Sequence, residues 1–177
     1  RHWRWNRLRL TARRKMKVDS PDIDKTALCE ALAAYGLEVE RLAFIPRGDE
    51  SYCYVAEAEG GSRCFVKVLE DWPDKLAIRY RVAHRLLTQY GLEYVVAPRV
   101  TEHGELLSRL ETRAVAVFDY VAGSVIGPNG GADNEWESIA AMMASLHNSV
   151  DSSALSSLPR EQFDVWLRDW LMRVLAA

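Results

Sequence analysis

Apolar positions recur at helical spacing from Ile23 through Ala27, Leu28, Ala31 and Tyr35, behind a Ser20-Pro21 pair that reads as a cap with proline in the first turn. Gly36 stops the run. Residues 37–45 then alternate like a strand, and Pro46 to Ser51 interrupt them with turn chemistry. A second strand follows at Tyr52–Ala58, and Glu59-Gly60-Gly61-Ser62 is a tight-turn signal leading into a third at residues 64–69. The pattern predicts a three-stranded antiparallel meander preceded by a short amphipathic helix.

The third strand holds a cation in the middle of apolar residues. Alternation puts Phe65, Lys67 and Leu69 on one face and Cys64, Val66 and Val68 on the other. Burying an ammonium costs several kcal/mol unless an anion meets it. A nucleotide phosphate would be such an anion; an edge-strand lysine whose stem reaches water is the plain alternative.

Beyond Trp72-Pro73, the residues Leu76, Tyr80, Ala83, Leu87 and Tyr90 mark one face of a helix ending at Gly91. Residues 95–100, interrupted by Pro98, and 104–109 read as a strand pair or irregular hairpin, and residues 112–121 as a buried strand. The stretch 122–131, rich in glycine, is the strongest break in the chain. After it the period is wholly helical, with Asn134 and Glu137 at capping-box spacing ahead of Trp136, Ile139, Ala140, Met143 and Leu146. A serine-rich loop over residues 150–159 leads to a last helix whose aromatic face (Phe163, Trp166, Leu167, Trp170, Leu171, Val174) needs a partner to cover it. The predicted organisation is a basic, disordered tail over residues 1–17, an α+β unit over 18–122 and the beginning of a helical unit over 123–177.

Charge sharpens this division. The net charge is −2, but residues 1–17 carry eight of the 23 Lys and Arg and no acid, which leaves 15 basic against 25 acidic residues elsewhere, a balance of −10. The first segment, with Trp3 and Trp5, suits a nucleic-acid arm, an anionic-membrane contact, a targeting peptide, or sequence upstream of a start at Met16. No apolar run approaches the roughly twenty residues of a membrane span. No secretory leader is evident, so a cytoplasmic protein without membrane or nucleic-acid partners is expected. Cys29, Cys53 and Cys64 are odd in number and lack C-x-x-C spacing, which points to buried thiols and to neither a disulfide framework nor a zinc site.

The order of strand, turn, strand, Phe-Val-Lys strand, helix, strands, Phe118-Asp119-Tyr120-Val121-Ala122-Gly123 and a helix closing on Ser145-Leu146-His147 resembles the aminoglycoside phosphotransferase family of the kinase-like superfamily, and within it the spectinomycin-phosphotransferase-like branch. The resemblance spans about residues 37–175. It implies a kinase-like N-lobe, an antiparallel sheet of about five strands plus one helix, followed by the start of a helical C-lobe. It implies ATP or GTP with Mg2+ as cofactor and a small polar hydroxyl substrate, which the acidic balance suggests is cationic. Lys67 would hold the α- and β-phosphates, Gly48, Asp49, Glu50 and Ser51 would cover them, and Phe118, Asp119, Tyr120 and Val121 would be the hinge that meets the adenine edge, with Val66 and Val117 packed on the ring. As a plain reading, residues 118–121 are a buried strand and its exit loop.

Two departures limit the resemblance. Kinases fix the strand lysine with a glutamate on the next helix, yet residues 76–90 contain no acid; Glu70, Asp71 and Asp74 lie only before or at its start, where Asp74 could serve if the helix is shifted but is better placed to cap. The sequence also has no His-x-Asp loop with its asparagine and later metal-binding aspartate. His103-Gly104-Glu105 is a strand-connecting turn in this reading, and His147 a packed or capping residue. A lysine–phosphate hydrogen bond is worth about 1.5–3 kcal/mol, whereas a 10⁶-fold acceleration needs about 8 kcal/mol. The 177 residues therefore read as the front part of a phosphotransferase with no catalytic or metal-binding residue of its own, completed by a missing C-lobe or by a partner covering the last helix. The other readings are a non-catalytic nucleotide-binding or interaction module, and nucleic-acid binding through residues 1–17.

Overall fold

The computed structural model describes residues 18–47, 51–70, 74–124 and 131–149, with backbone alone at residues 74 and 75. In chain order these form α1 (Lys25–Ala33), β1 (Val39–Ile45), β2 (Tyr52–Ala58), β3 (Arg63–Leu69), α2 (Asp74–Thr88), β4 (Ser108–Leu110), β5 (Arg113–Asp119) and α3 (Asp133–Ser149). The strands make one antiparallel sheet in the order β1-β2-β3-β5-β4. This is the α+β arrangement that the apolar pattern predicts.

Local chemistry sets the boundaries. α1 begins later than Ser20-Pro21 suggests, because the Asp24 carboxylate accepts the Thr26 N–H at 2.8 Å and caps the helix there. Ser20 instead closes a turn, its carbonyl accepting Ile23 N–H at 3.3 Å. Between β2 and β3 the chain reverses through Gly60 and Gly61, both at φ of +78°, a conformation that side chains resist. At α3 the capping partners are Ala132 and Glu135, whose Oε2 accepts the Ala132 N–H at 2.7 Å, and not Asn134 and Glu137. The helix starts at Asp133, so Glu135 is the residue that reaches back.

The expected hairpin over residues 95–109 is replaced by an extended strap. Pro98 makes one bridge to Phe118, and Arg99 N–H donates to Val117 O at 2.7 Å; only Ser108–Leu110 pairs as a strand, against Arg113 to Val115. Proline has no N–H to continue a ladder.

Two cores lie on opposite faces of the sheet. α1 covers one, where Leu28 and Leu32 meet Tyr54, Val66, Val68, Val115 and Val117, all fully buried. The Tyr35 hydroxyl donates to Val115 O at 2.9 Å and accepts Ser108 N–H at 3.0 Å, and burial pushes its pKa up. At the other end of α1, Asp19 accepts hydrogen bonds from the Tyr54 hydroxyl (2.6 Å) and Lys25 Nζ (2.7 Å). α2 packs on the second face, where Leu76, Ala77 and Tyr80 meet Leu69, Ala114, Ala116 and Phe118. No helix among the described residues is long and apolar enough to cross a membrane. The expected tail over residues 1–17, the centre of the glycine-rich break at 125–130 and the expected last helix lie outside the described residues.

Candidate functional site

Strand register brings the chemistry together. Ile45 lies opposite Cys53, Cys53 opposite Lys67, and Lys67 opposite Ala116, so four strands contribute one row on the α2 face. Cys53 and Ala116 are small, which leaves room between them for the lysine stem. One step along, Phe65 lies opposite Phe118. Lys67 Nζ sits 5.2 Å from the Phe118 ring centroid and 6.0 Å from that of Phe65. No ion pair of the described residues includes Lys67, which is half-buried. Contacts of this kind are worth about 0.5–1 kcal/mol at exposed sites and about 2 kcal/mol when desolvated.

The same two rings wall a cleft of about 460 Å³. Ile45, Cys53 and Val96 add apolar surface, Arg47 stands at the end of β1, and residues 119–121 close one side. These last residues leave the sheet with their side chains engaged elsewhere. The Asp119 carboxylate pairs with Arg99 Nε at 3.2 Å, and the Tyr120 ring lies 4.2 Å from the Arg63 guanidinium. Val121 is 70% exposed. Arg99 Nη1 also reaches Cys64 Sγ at 3.1 Å; burial pushes that thiol pKa up, against the pull of the arginine, which makes it a poor nucleophile.

Phe118, Asp119, Tyr120 and Val121 line this cleft, and Lys67 stands beside it, against the Phe118 and Phe65 rings, without lining it. Ser51 is buried beneath it, with Oγ 3.6 Å from Cys53 Sγ, while Gly48, Asp49 and Glu50 lie outside the described residues. Val66 and Val117 are corrected: both are fully buried in the α1 core, on the opposite face of the sheet, and neither lines the cleft. Phe65 and Cys53 take that place. Strand alternation already paired Phe65 with Lys67, and the Cys53 position follows from register; Arg47 and Val96 come from turn and strap positions with no local signal.

His103-Gly104-Glu105 forms the expected turn, with Gly104 at φ of +80° and Glu105 N–H donating to Thr101 Oγ1 at 3.0 Å. A second cavity of about 540 Å³ lies between Ala77, Ile78, Arg81 and His84 of α2 and the strap at Val100 and Gly104 to Leu107. Neither Lys67 nor its aromatic neighbours reach it, so it is not the candidate site. Among the described residues no three His, Cys, Asp or Glu side chains gather as metal ligands.

A five-stranded antiparallel sheet with a lysine on its third strand, a helix packed on the lysine's face and a strand running out beside an apolar cleft has the fold of a kinase-like amino-terminal lobe, here followed by the helix α3. Solved phosphotransferases share this fold. Spectinomycin phosphotransferase in complex with ADP and spectinomycin superposes with a TM-score of 0.67 at 19% identity over 87% of this chain and 47% of its own, and its AMP-bound complex with 0.62 at 18% over 85% and 46%. Amicoumacin kinase in complex with AMP-PNP, Ca2+ and Ami gives 0.61 at 17% over 92% and 55%. The chain therefore spans about half the length of these proteins. No protein-family model and no curated protein sequence matches it.

Proposed function

We propose that the chain is the nucleotide-holding part of an ATP- or GTP-dependent phosphotransferase acting on a hydroxyl of a small polar molecule. The observation that carries this reading is the sharing of Phe65 and Phe118 between an apolar cleft and an ammonium. A nucleotide has the same two-part chemistry, a flat base and an anionic phosphate chain. In this reading the base enters beside residues 118–121, whose backbone meets its edge while Phe65 and Phe118 pack on its face. Lys67 meets the phosphates, and residues 48–51 cover them. The described residues offer no ligand set for Mg2+, so no step is assigned to it here. The fold and the nucleotides carried by spectinomycin phosphotransferase and amicoumacin kinase support the assignment. An aminoglycoside-like acceptor is proposed on the same basis, and a cytoplasmic setting follows from it.

Isothermal titration of the 177-residue chain with ADP and with GDP tests the reading. Binding that falls about tenfold or more in Lys67→Ala is expected, the size of a lost charge-assisted hydrogen bond. A wild-type chain that binds neither nucleotide, or a Lys67→Ala chain that binds as well as wild type, overturns it.

A further inference from the structure

We infer that Tyr80 positions Lys67 through an aromatic ring; the inference rests on the reading of Lys67 as a phosphate anchor. In protein kinases the strand lysine is held by a glutamate from the helix that follows. Here that helix, α2, has no acid after Asp74. What it turns to the sheet is the stripe Leu76, Ala77 and Tyr80, at the spacing of one helix face.

Tyr80 is 8% exposed and meets Phe118 edge-on, the ring centroids 5.5 Å apart and the planes at 79°. Phe118 is in turn the ring nearest the Lys67 ammonium, at 5.2 Å. The attraction of a cation for an aromatic ring is confined to its face, so the plane of Phe118 decides where the ammonium rests. Tyr80 fixes that plane. The contact runs from helix to ring to cation, and every member is buried or half-buried.

The consequence separates this device from a lysine–glutamate pair. A carboxylate orients the ammonium and also neutralises it; an aromatic ring orients it and leaves the charge for the phosphate. Nucleotide binding should accordingly depend on the ring at position 80.

The test is a double-mutant cycle on ADP affinity in the 177-residue chain, with folding checked by circular dichroism. Tyr80→Phe, which keeps the ring, should bind more tightly than Tyr80→Leu. Tyr80→Leu should bind roughly three- to tenfold more weakly, the size of a partly buried cation–π contact. In a Lys67→Ala background the Tyr80→Leu effect should vanish, which a merely structural role would not produce. An unchanged affinity in Tyr80→Leu, or the same loss with and without Lys67, overturns the inference. Should Tyr80→Leu fail to fold, Tyr80→Met keeps volume without the ring and takes its place. A wild-type chain that binds no nucleotide breaks the anchor reading alone. The positioning is then read from the chemical shift of ¹³C-methylated Lys67: a ring-current shift that Tyr80→Leu abolishes supports it, and one left intact overturns it.

Discussion

The two faces of the sheet are built from the same strands and to opposite ends. On the α1 face β3 and β5 contribute Val66, Val68, Val115 and Val117, all fully buried, with Cys64 beside them, and the hydroxyls of Tyr35 and Tyr54 are hydrogen-bonded. On the α2 face the corresponding row holds a lysine, a cysteine and an alanine, flanked by a buried Phe118 and a half-buried Phe65. One face is closed by hydrocarbon, and the other holds a half-buried cation, with no ion pair among the described residues, beside an open slot. Alternation along a strand is what lets seven residues serve both. Stability should therefore be concentrated on the α1 face and ligand binding on the other, and substitutions should separate the two.

The largest effect is expected from Leu28→Ala. Leu28 is fully buried against the sheet, and such truncations cost about 2–5 kcal/mol. Urea unfolding should show that loss, while nucleotide affinity of the folded fraction stays at its wild-type value. A matching fall in affinity would mean that the faces are coupled. Lys67→Met is expected to act in the opposite sense: nucleotide binding falls about tenfold or more, while stability holds or rises by up to about 1 kcal/mol, because a half-buried charge is replaced by hydrocarbon of similar length. A loss of stability beyond about 1 kcal/mol would show that the ammonium holds the fold together.

The smallest effect sits at the rim of the α1 face and depends on pH. Burial opposes the Asp19 charge, but the hydrogen bonds from Lys25 and Tyr54 and the Lys25 charge outweigh it and hold the carboxyl below its ordinary value of 3.8. A depressed folded-state pKa stabilises above the unfolded value and loses its contribution as the pH falls through the folded one. Asp19→Asn should therefore be less stable than wild type at pH 7, with the difference closing below about pH 4. Denaturation midpoints at pH 7 and pH 3 check the sign; a difference that widens in acid would break it.

Much of the fold was legible because its strands alternate cleanly. The meander, the helix after Lys67 and the helix after the glycine-rich break all lie where apolar spacing puts them. Residues 95–107 were not legible, since a strap that meets β5 through one bridge and the Arg99 N–H, and otherwise bonds in local turns and to Ala34, leaves no period in its side chains. The helix starts shifted for a related reason: Ser20, Asp24, Asn134 and Ala132 compete as caps, and only three-dimensional context decides which carboxylate reaches which N–H. At the cleft, two lines of inference about one strand disagreed. Resemblance to kinases put Val66 on the base, whereas alternation put Phe65 beside Lys67, and the backbone obeyed alternation. The Val96 and Arg47 contributions arise from long-range packing and carry no local signature.

The strap through Pro98 has a consequence beyond the cleft. A sheet of five strands offers two borders to any other chain with unsatisfied backbone groups, and a long regular border invites fibrous growth. Here β4 is three residues long, and past it the border is taken up by Pro98, which has no N–H to offer, and by Arg99, whose N–H is already given to Val117. The opposite border, β1, shifts register between Val39 and Arg41 and exposes Glu40 and Arg41. Both margins of the sheet are thereby poor templates for strand addition, which protects the folded sheet against edge-to-edge aggregation.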